Sequence, residues 1–362
     1  MIGIRDLARH LEISIGTVSR ALNGKADVNP ATRQRVLEAA AQLGYSPNQS
    51  GRSLRRGQTD LVGVIVPTGS QGALITPVFL SVLDGLRRKL SESRLELAIF
   101  LHGQDEEIFG SLRRLTERGL VDGLIIANTL RVDPRIDYLV EKRRRFVAFG
   151  RSQSGGAHAW VDPDFESAVD GAVDRLAALG HRRIALMLTT GEMNYLHLIR
   201  ESYVAAMKRR GLEVAPDWMQ RRSAGEGAGF DAGAALIGAD PRPTAVLVSD
   251  ARQVFGLYRA LRESALEVGR DMSVIGLLPE ASAQSLSPSL ATYQTDWTAV
   301  GARLGEALIE ELARLARVPR PNAPEAVRPA GALQCKMPTT FRPGDSLRRV
   351  AAKAPKARSA PA

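Results

Sequence analysis

Arg20 is the residue of this chain whose chemistry is easiest to name. Its planar guanidinium presents a fork of donors that matches the O6 and N7 edge of a guanine. It lies in the segment Ile4 to Asn23, IRDLARHLEISIGTVSRALN. Once Val18, Ala21 and Leu22 turn inward on a helix, Ile15, Gly16, Thr17, Ser19 and Arg20 are left on its outer side. Ser14 stands where its hydroxyl can accept a backbone N–H of the next turn. A shorter helix precedes it, with Leu7, Ala8 and Leu11 as its apolar stripe, and Ile13 fills the space between the two stripes. Two short helices joined by a tight turn make a helix-turn-helix, which presents its second helix to the DNA major groove, N-terminal residues first.

Other reactive chemistry is thin. The single cysteine, Cys335, excludes an internal disulfide and any cysteine-cluster metal site. Gly225-Glu226-Gly227-Ala228-Gly229 is glycine-rich, but it lacks the Gly-Lys-Ser/Thr ending of a phosphate loop and is expected to open a helix. Ser152, Ser154 and His158 share a loop with no acid that sequence can pair with them. The chain is therefore expected not to be an enzyme, and no cofactor or metal is expected.

The elements that must position the reading helix follow directly. Asn29 caps a third helix with Pro30 at its first position, running over Ala31 to Leu43 with Val36, Leu37, Ala40 and Leu43 as inner face; Gly44 ends it. The stretch 47–57 is too short and polar to hold a helix alone. From Leu61 the pattern changes to short apolar runs separated by amphipathic helices, the signature of a parallel sheet covered on both faces. One series runs from Leu61 to Phe149 and a second begins at Trp160. Together they predict an α/β core of two Rossmann-like subdomains, with a cleft near the carboxyl ends of the strands.

Charge is unevenly placed. The net charge is +10, with nine Lys/Arg against four Asp/Glu in residues 1–58 and six against one in residues 342–362. The segment between is formally neutral. Basic charge on a helix-turn-helix is the footprint of phosphate contact. No run of eighteen apolar residues exists, and the first helix begins almost at once, so no membrane span or signal peptide is expected and the cytoplasm is the expected location.

Three motifs carry a resemblance. TVSRALNG at Thr17 to Gly24, VNPATRQRVLEAAAQLGYSPN at Val28 to Asn48, and N-x-x-x-R-x-L over Asn48, Arg52 and Leu54 resemble the N-terminus of LacI/GalR-type transcriptional repressors. LAALGHRRIAL at Leu176 to Leu186, PTAVLVSD at Pro243 to Asp250 and DMSVIG at Asp271 to Gly276 extend the likeness to about Phe341. The resemblance implies a homodimeric, ligand-responsive repressor of a pseudo-palindromic operator with a periplasmic-binding-protein-like core. The division it implies is 1–46 helix-turn-helix, 47–60 hinge, 61–341 core and 342–362 a basic, disordered tail. Lobe 1 is expected over 61–159 and 297–325, and lobe 2 over 160–296 and 326–341. Base reading falls to Ile15, Gly16 and Arg20, and phosphate contact to Ser14, Thr17, Ser19 and Asn23. Leu54 becomes the apolar wedge of a minor-groove hinge helix. Gly51 stands where the family commonly has alanine, a difference of about 1 kcal/mol in a helix. Leu347 alone cannot make a leucine-heptad tetramerisation helix, so a dimer is expected.

The ligand positions depart from that pattern. Asp250-Ala251 replaces the usual Asn-Asp, Leu277-Leu278-Pro279 replaces an aromatic and two aspartates, and Thr295-Asp296, followed by Trp297, replaces Gln-Pro. Arg200 is one residue out of register with the family's arginine. A sugar site needs donors and acceptors around hydroxyls and an apolar face to stack on. Asp250 and Asp296 are the candidate acceptors, Arg200 and Arg151 the donors, and Trp297, Phe79 and Trp160 the stacking faces, with Thr295 beside them. Two arginines suit a carboxylate or phosphate equally. The effector is thus a sugar or sugar-derived metabolite, or else a non-sugar, or absent with the pocket silent.

Overall fold

The computed structural model describes residues 3–22, 24–25, 27–45, 58–67, 76–102, 108–277, 285–316 and 331–350. Asn23, Asn48, Gly51, Arg52 and Leu54 lie outside the described residues, and so do Leu278 and Pro279. The chain forms two compact units, Met1–Asp60 and Leu61–Ala362.

In the first unit, α1 (Ile4–Leu11), α2 (Ile15–Leu22) and α3 (Pro30–Gln42) close around Leu7, Val18 and Val36, all fully buried. Asn29 caps α3 by accepting from the Ala31 N–H at 2.9 Å. Leu37, assigned to the inner face by periodicity, is 45% exposed, and Ala39 is buried instead. The stripe Val36, Ala39, Ala40 follows the i, i+3, i+4 spacing, and position 37 lies about 100° off it.

The second unit begins with β1 (Leu61–Pro67), α4 (Pro77–Glu92), β2 (Glu96–His102), α5 (Ile108–Glu117), β3 (Gly123–Ile126), α6 (Pro134–Glu141), β4 (Phe146–Phe149) and β5 (Trp160–Pro163). It continues with α7 (Phe165–Ala178), β6 (Ile184–Thr189), α8 (Asn194–Arg209), β7 (Met219–Arg222), α9 (Glu226–Gly238), β8 (Ala245–Val248), α10 (Ala251–Glu263) and β9 (Ser273–Leu277). Last come β10 (Ala291–Gln294), α11 (Trp297–Ala316), β11 (Gln334–Met337) and β12 (Thr340–Arg342). Two six-stranded sheets result, in the orders β11-β5-β4-β3-β1-β2 and β12-β10-β9-β8-β6-β7. Every pairing is parallel except β12 on β10.

The lobe boundaries differ from those read in the sequence. Trp160 does not open the second lobe, because β5 pairs with β4 and β11 in the first sheet. The chain therefore crosses between sheets three times: from β5 to α7, from β10 to α11 and from β11 to β12. An apolar run states that a strand is buried; its partners depend on which edge is free, which periodicity does not record.

Each sheet is flanked by a helix pair in very close contact. A Cβ on Gly301 of α11 would lie 1.9 Å from the Val82 carbonyl oxygen of α4, and one on Gly256 of α10 would lie 2.0 Å from the Glu226 oxygen of α9. Only glycine permits that approach.

Residues 343–350, after β12, are ordered, contrary to the disorder expected of them from composition. Ser346 is fully buried, donates to the Val274 carbonyl at 2.7 Å and accepts from the Ala291 N–H at 2.8 Å. Val350 N–H reaches the Leu179 carbonyl, and buried His181 contacts the Arg348 carbonyl at 3.1 Å. One serine with two backbone partners anchors the strap, a signal that composition does not carry.

Candidate DNA-reading helix and ligand cleft

Ser14 caps α2 by accepting the Thr17 N–H at 3.0 Å, and its hydroxyl lies 2.9 Å from that of Thr17. The cap sets the outward face. Ile15 is 43% exposed, Gly16 and Arg20 are exposed, and Thr17 and Ser19 are half-buried. Sequence reasoning missed one partner: Arg20 Nε lies 3.6 Å from Asp27 Oδ2, with both side chains more than half in solvent. So exposed a pair contributes at most about 1 kcal/mol, leaving the guanidinium available.

Between the two sheets lies a cavity of about 320 Å³. Its walls come from the carboxyl ends of strands on both sides, the position that doubly wound sheets reserve for ligands. From the first sheet come Asn128 and Thr129 after β3, Phe149 and Gly150 at the end of β4, and Asp162 on β5, with Thr76 and Phe79 at the start of α4. From the second come Thr189 and Thr190, Ser223, Ser249 to Arg252 and Leu277, with Met193, Tyr195 and Ile199 around α8. Trp297, at the first turn of α11, also lines it.

Of the eight residues proposed from sequence for the effector, Phe79, Asp250 and Trp297 line this cavity; Arg151, Trp160, Arg200, Thr295 and Asp296 do not. Arg151 instead joins the first crossing. Its Nε donates to Asp162 at 2.8 Å, and its two terminal nitrogens donate to Glu166 at 2.6 and 2.7 Å. Trp160 lies under this guanidinium, 5.6 Å from ring centre to Cζ. Thr295 donates to the Pro338 carbonyl at 2.9 Å, joining the second crossing to the third. Asp296 accepts from the Ala299 N–H at the start of α11. Arg200 is exposed on α8.

The charges that face the cavity are already matched. Asp250 caps α10 through the Arg252 and Gln253 N–H groups and accepts two hydrogen bonds from the Arg252 guanidinium, at 2.8 and 3.2 Å. Burial pushes the Asp162 carboxyl up to about 6, against the pull of Arg151. Burial also opposes ionisation of Glu166, but hydrogen bonds from Arg151 and Lys336 win and hold it at about 2. Burial raises the Tyr195 phenol, so it stays protonated. One rim of the cleft is bridged: Asn194 N–H donates to the Thr129 carbonyl and its side chain to the Arg151 carbonyl, each at 2.8 Å, and Arg131 pairs with Glu201.

Sequence reasoning overlooked Asn128, Thr129, Thr189, Thr190, Ser249 and Arg252. A signal existed: each follows closely on a short apolar strand, IIA, IALML or AVLV, at its carboxyl end.

Comparison with known proteins agrees with this fold. The model for bacterial regulatory proteins of the lacI family matches residues 3–48, and that for the periplasmic binding protein-like domain matches residues 173–331. The chain is 32% identical to the HTH-type transcriptional regulator AglR of Rhizobium meliloti over 312 residues, 85% of this chain and 87% of that protein. It is 30% identical to RafR of Escherichia coli over 308 residues, 84% and 90% of the two. Among solved structures, the lac repressor dimer bound to operator and the anti-inducer ONPF superposes with a TM-score of 0.80 at 20% identity, covering 96% of this chain and 99% of that one. The complex of the regulator CelR with cellobiose gives 0.70 at 23%, covering 96% and 100%.

Proposed function

The chain belongs to the LacI family of DNA-binding transcriptional regulators, and on that premise we propose that it is a cytoplasmic repressor which binds a pseudo-palindromic operator as a homodimer and is released or engaged by a neutral, polyhydroxylated effector of the sugar class. One observation carries the choice of effector. The cavity combines hydroxyl and amide groups (Asn128, Thr129, Thr189, Ser249) with aromatic faces (Phe79, Phe149, Trp297), while its carboxylates are each held by an arginine. An acid would need an unmatched cation, and Arg151 and Arg252 are both engaged. Hydroxyls and a stacking face suit a sugar. The relative CelR, solved with cellobiose, supports the same class.

The homodimer is supported by the edge strand β2. Ile99 and Leu101 point to one side of it, 48% and 64% exposed, with Leu80 of the neighbouring helix α4 52% exposed. Among the described residues no strand pairs with the outer edge of β2, and an apolar sheet edge is a surface that chains cover.

In this reading two α2 helices enter successive major grooves and the paired hinges open the minor groove between them. Effector binding shifts the balance between two lobe arrangements only as far as its affinity differs between them. The test is selection of bound duplexes from a random pool, followed by titration of a panel of neutral sugars and sugar acids against the selected complex. A two-fold symmetric site released or tightened by a neutral sugar is expected. Failure to enrich a symmetric site, or a response confined to the acids, would overturn the corresponding part.

A further inference from the structure

The amino edge of the first sheet, opposite the cleft, carries a row of arginines that neither the reading helix nor the cavity uses. Arg94 precedes β2, Arg118 precedes β3, and Arg143, Arg144 and Arg145 precede β4. Four of the five are exposed and Arg145 is half-buried; none makes an ion pair with a described residue. In the sheet order these strands flank β1: β4-β3-β1-β2. The backbone fixes the neighbourhood, because Asp122 N–H donates to the Leu61 carbonyl and Leu124 N–H to the Arg145 carbonyl. At about 4.8 Å between strands, the row spans roughly 15 Å. Asp60, Glu96 and Asp122 stand at the same edge, which leaves it net positive.

Two of these arginines occupy backbone positions made for glycine. Arg94 and Arg143 follow the ends of α4 and α6 with φ of 60° and 51°, in the left-handed region where helices usually place glycine. At the corresponding place after α5 the chain does use glycine, Gly119, with φ 59°. Glu12 and Ala265 stand at helix ends in the same conformation, so the backbone tolerates several residue types there, and at this edge two such positions carry arginine.

We propose that this edge is a second DNA contact, binding the phosphate backbone of duplex that flanks the operator. The partner is chosen by chain connection. β1 begins at Leu61, immediately after the segment that leads from the DNA-binding unit, so this edge of the sheet is the one the linker enters. The inference rests on the proposed function and adds to it a sequence-independent, salt-sensitive share of the affinity.

The experiment uses the full chain and its selected operator, placed in a short duplex and in one extended by about a helical turn or more on each side. For wild type, the salt dependence of binding should be steeper on the long duplex. The triple variant R143Q/R144Q/R145Q should lose that difference, its slope falling by about one for each arginine that meets a phosphate, while binding to the short duplex stays unchanged. Arg94→Gly and Arg143→Gly relieve the backbone, so each should raise the melting temperature while weakening binding to the long duplex. Equal slopes for wild type and triple variant on both duplexes, or glycine variants that lower the melting temperature without touching binding, overturn the inference and leave operator recognition standing. If wild type binds no duplex, the proposed function fails as well.

Discussion

Arg151 and Glu166 meet in a two-point pair, 2.6 and 2.7 Å, that bolts the end of β4 to the first crossing between the sheets. Lys336, just before the third crossing, reaches the same Glu166 oxygen at 2.8 Å. An arginine that reads as a ligand donor in sequence is thus part of the first crossing between the sheets. Replacing it with alanine leaves Asp162 buried without a counter-charge, and loss of one partner of a buried pair costs about 3 kcal/mol. Without Arg151 the Asp162 carboxyl should titrate above its present value of about 6. Below that pH it is neutral, so the destabilisation of R151A should be large at pH 8 and shrink by pH 5. Chemical denaturation at the two values measures it, and an equal loss at both would contradict the pairing.

His181 is fully buried, between Thr244 and the carbonyl of Arg348, and burial holds its pKa down at about 4. The unfolded chain takes up a proton near 6.5, which the folded chain refuses until about 4. Its folded pKa is depressed, so for this base stability is complete above 6.5 and falls as pH drops through that window, by on the order of 3 kcal/mol. The difference in unfolding free energy between wild type and His181→Gln should therefore narrow as pH is lowered from 7 to 4. A difference that does not vary with pH would leave the histidine no such role.

Gly301→Ala should separate α11 from α4. The new Cβ would fall 1.9 Å from a backbone oxygen, which no rotamer can relieve. A loss of about 3 kcal/mol or more is expected, at the upper end for overpacking, and thermal denaturation reads it. Because Trp297 begins the same helix, effector affinity should fall with it.

Charging the exposed edge strand should break the proposed homodimer. I99E/L101E introduces two carboxylates on the apolar face of β2, where each side chain now stands about half or more in solvent. The folded monomer should tolerate them. Sedimentation should show a monomer with unchanged circular dichroism and weakened operator binding; a dimer that persists would place the interface elsewhere.

Arg20→Ala should weaken operator binding by about 1 to 3 kcal/mol and relax preference at one base pair. Asp27→Asn removes the 3.6 Å competitor for the guanidinium and should leave affinity equal or slightly higher. Equal loss on operator and random duplex for R20A would remove Arg20 from base reading.

Local chemistry made the three helices between Ile4 and Gln42 legible without coordinates. A serine cap, a three-residue apolar stripe and a Pro-started helix are written within a few positions of one another, and three short helices leave few ways to bury Leu7, Val18 and Val36. The alternation of apolar runs and helices likewise determined an α/β core of two subdomains, because a strand buried on both faces has no polar side to vary. Which strands share a sheet was decided only in three dimensions. Trp160-Val161-Asp162-Pro163 reads the same whichever sheet it joins, and the free edge beside β4 settled it. The cavity shows the same division most sharply. Sequence could nominate arginines, aspartates and aromatics, but a charge is a ligand group only if nothing else in the fold takes it. Arg151 was taken by Asp162 and Glu166, across sequence separations of eleven and fifteen residues that no local spacing reports, and so a donor in the sequence became a clasp on the first crossing in the structure.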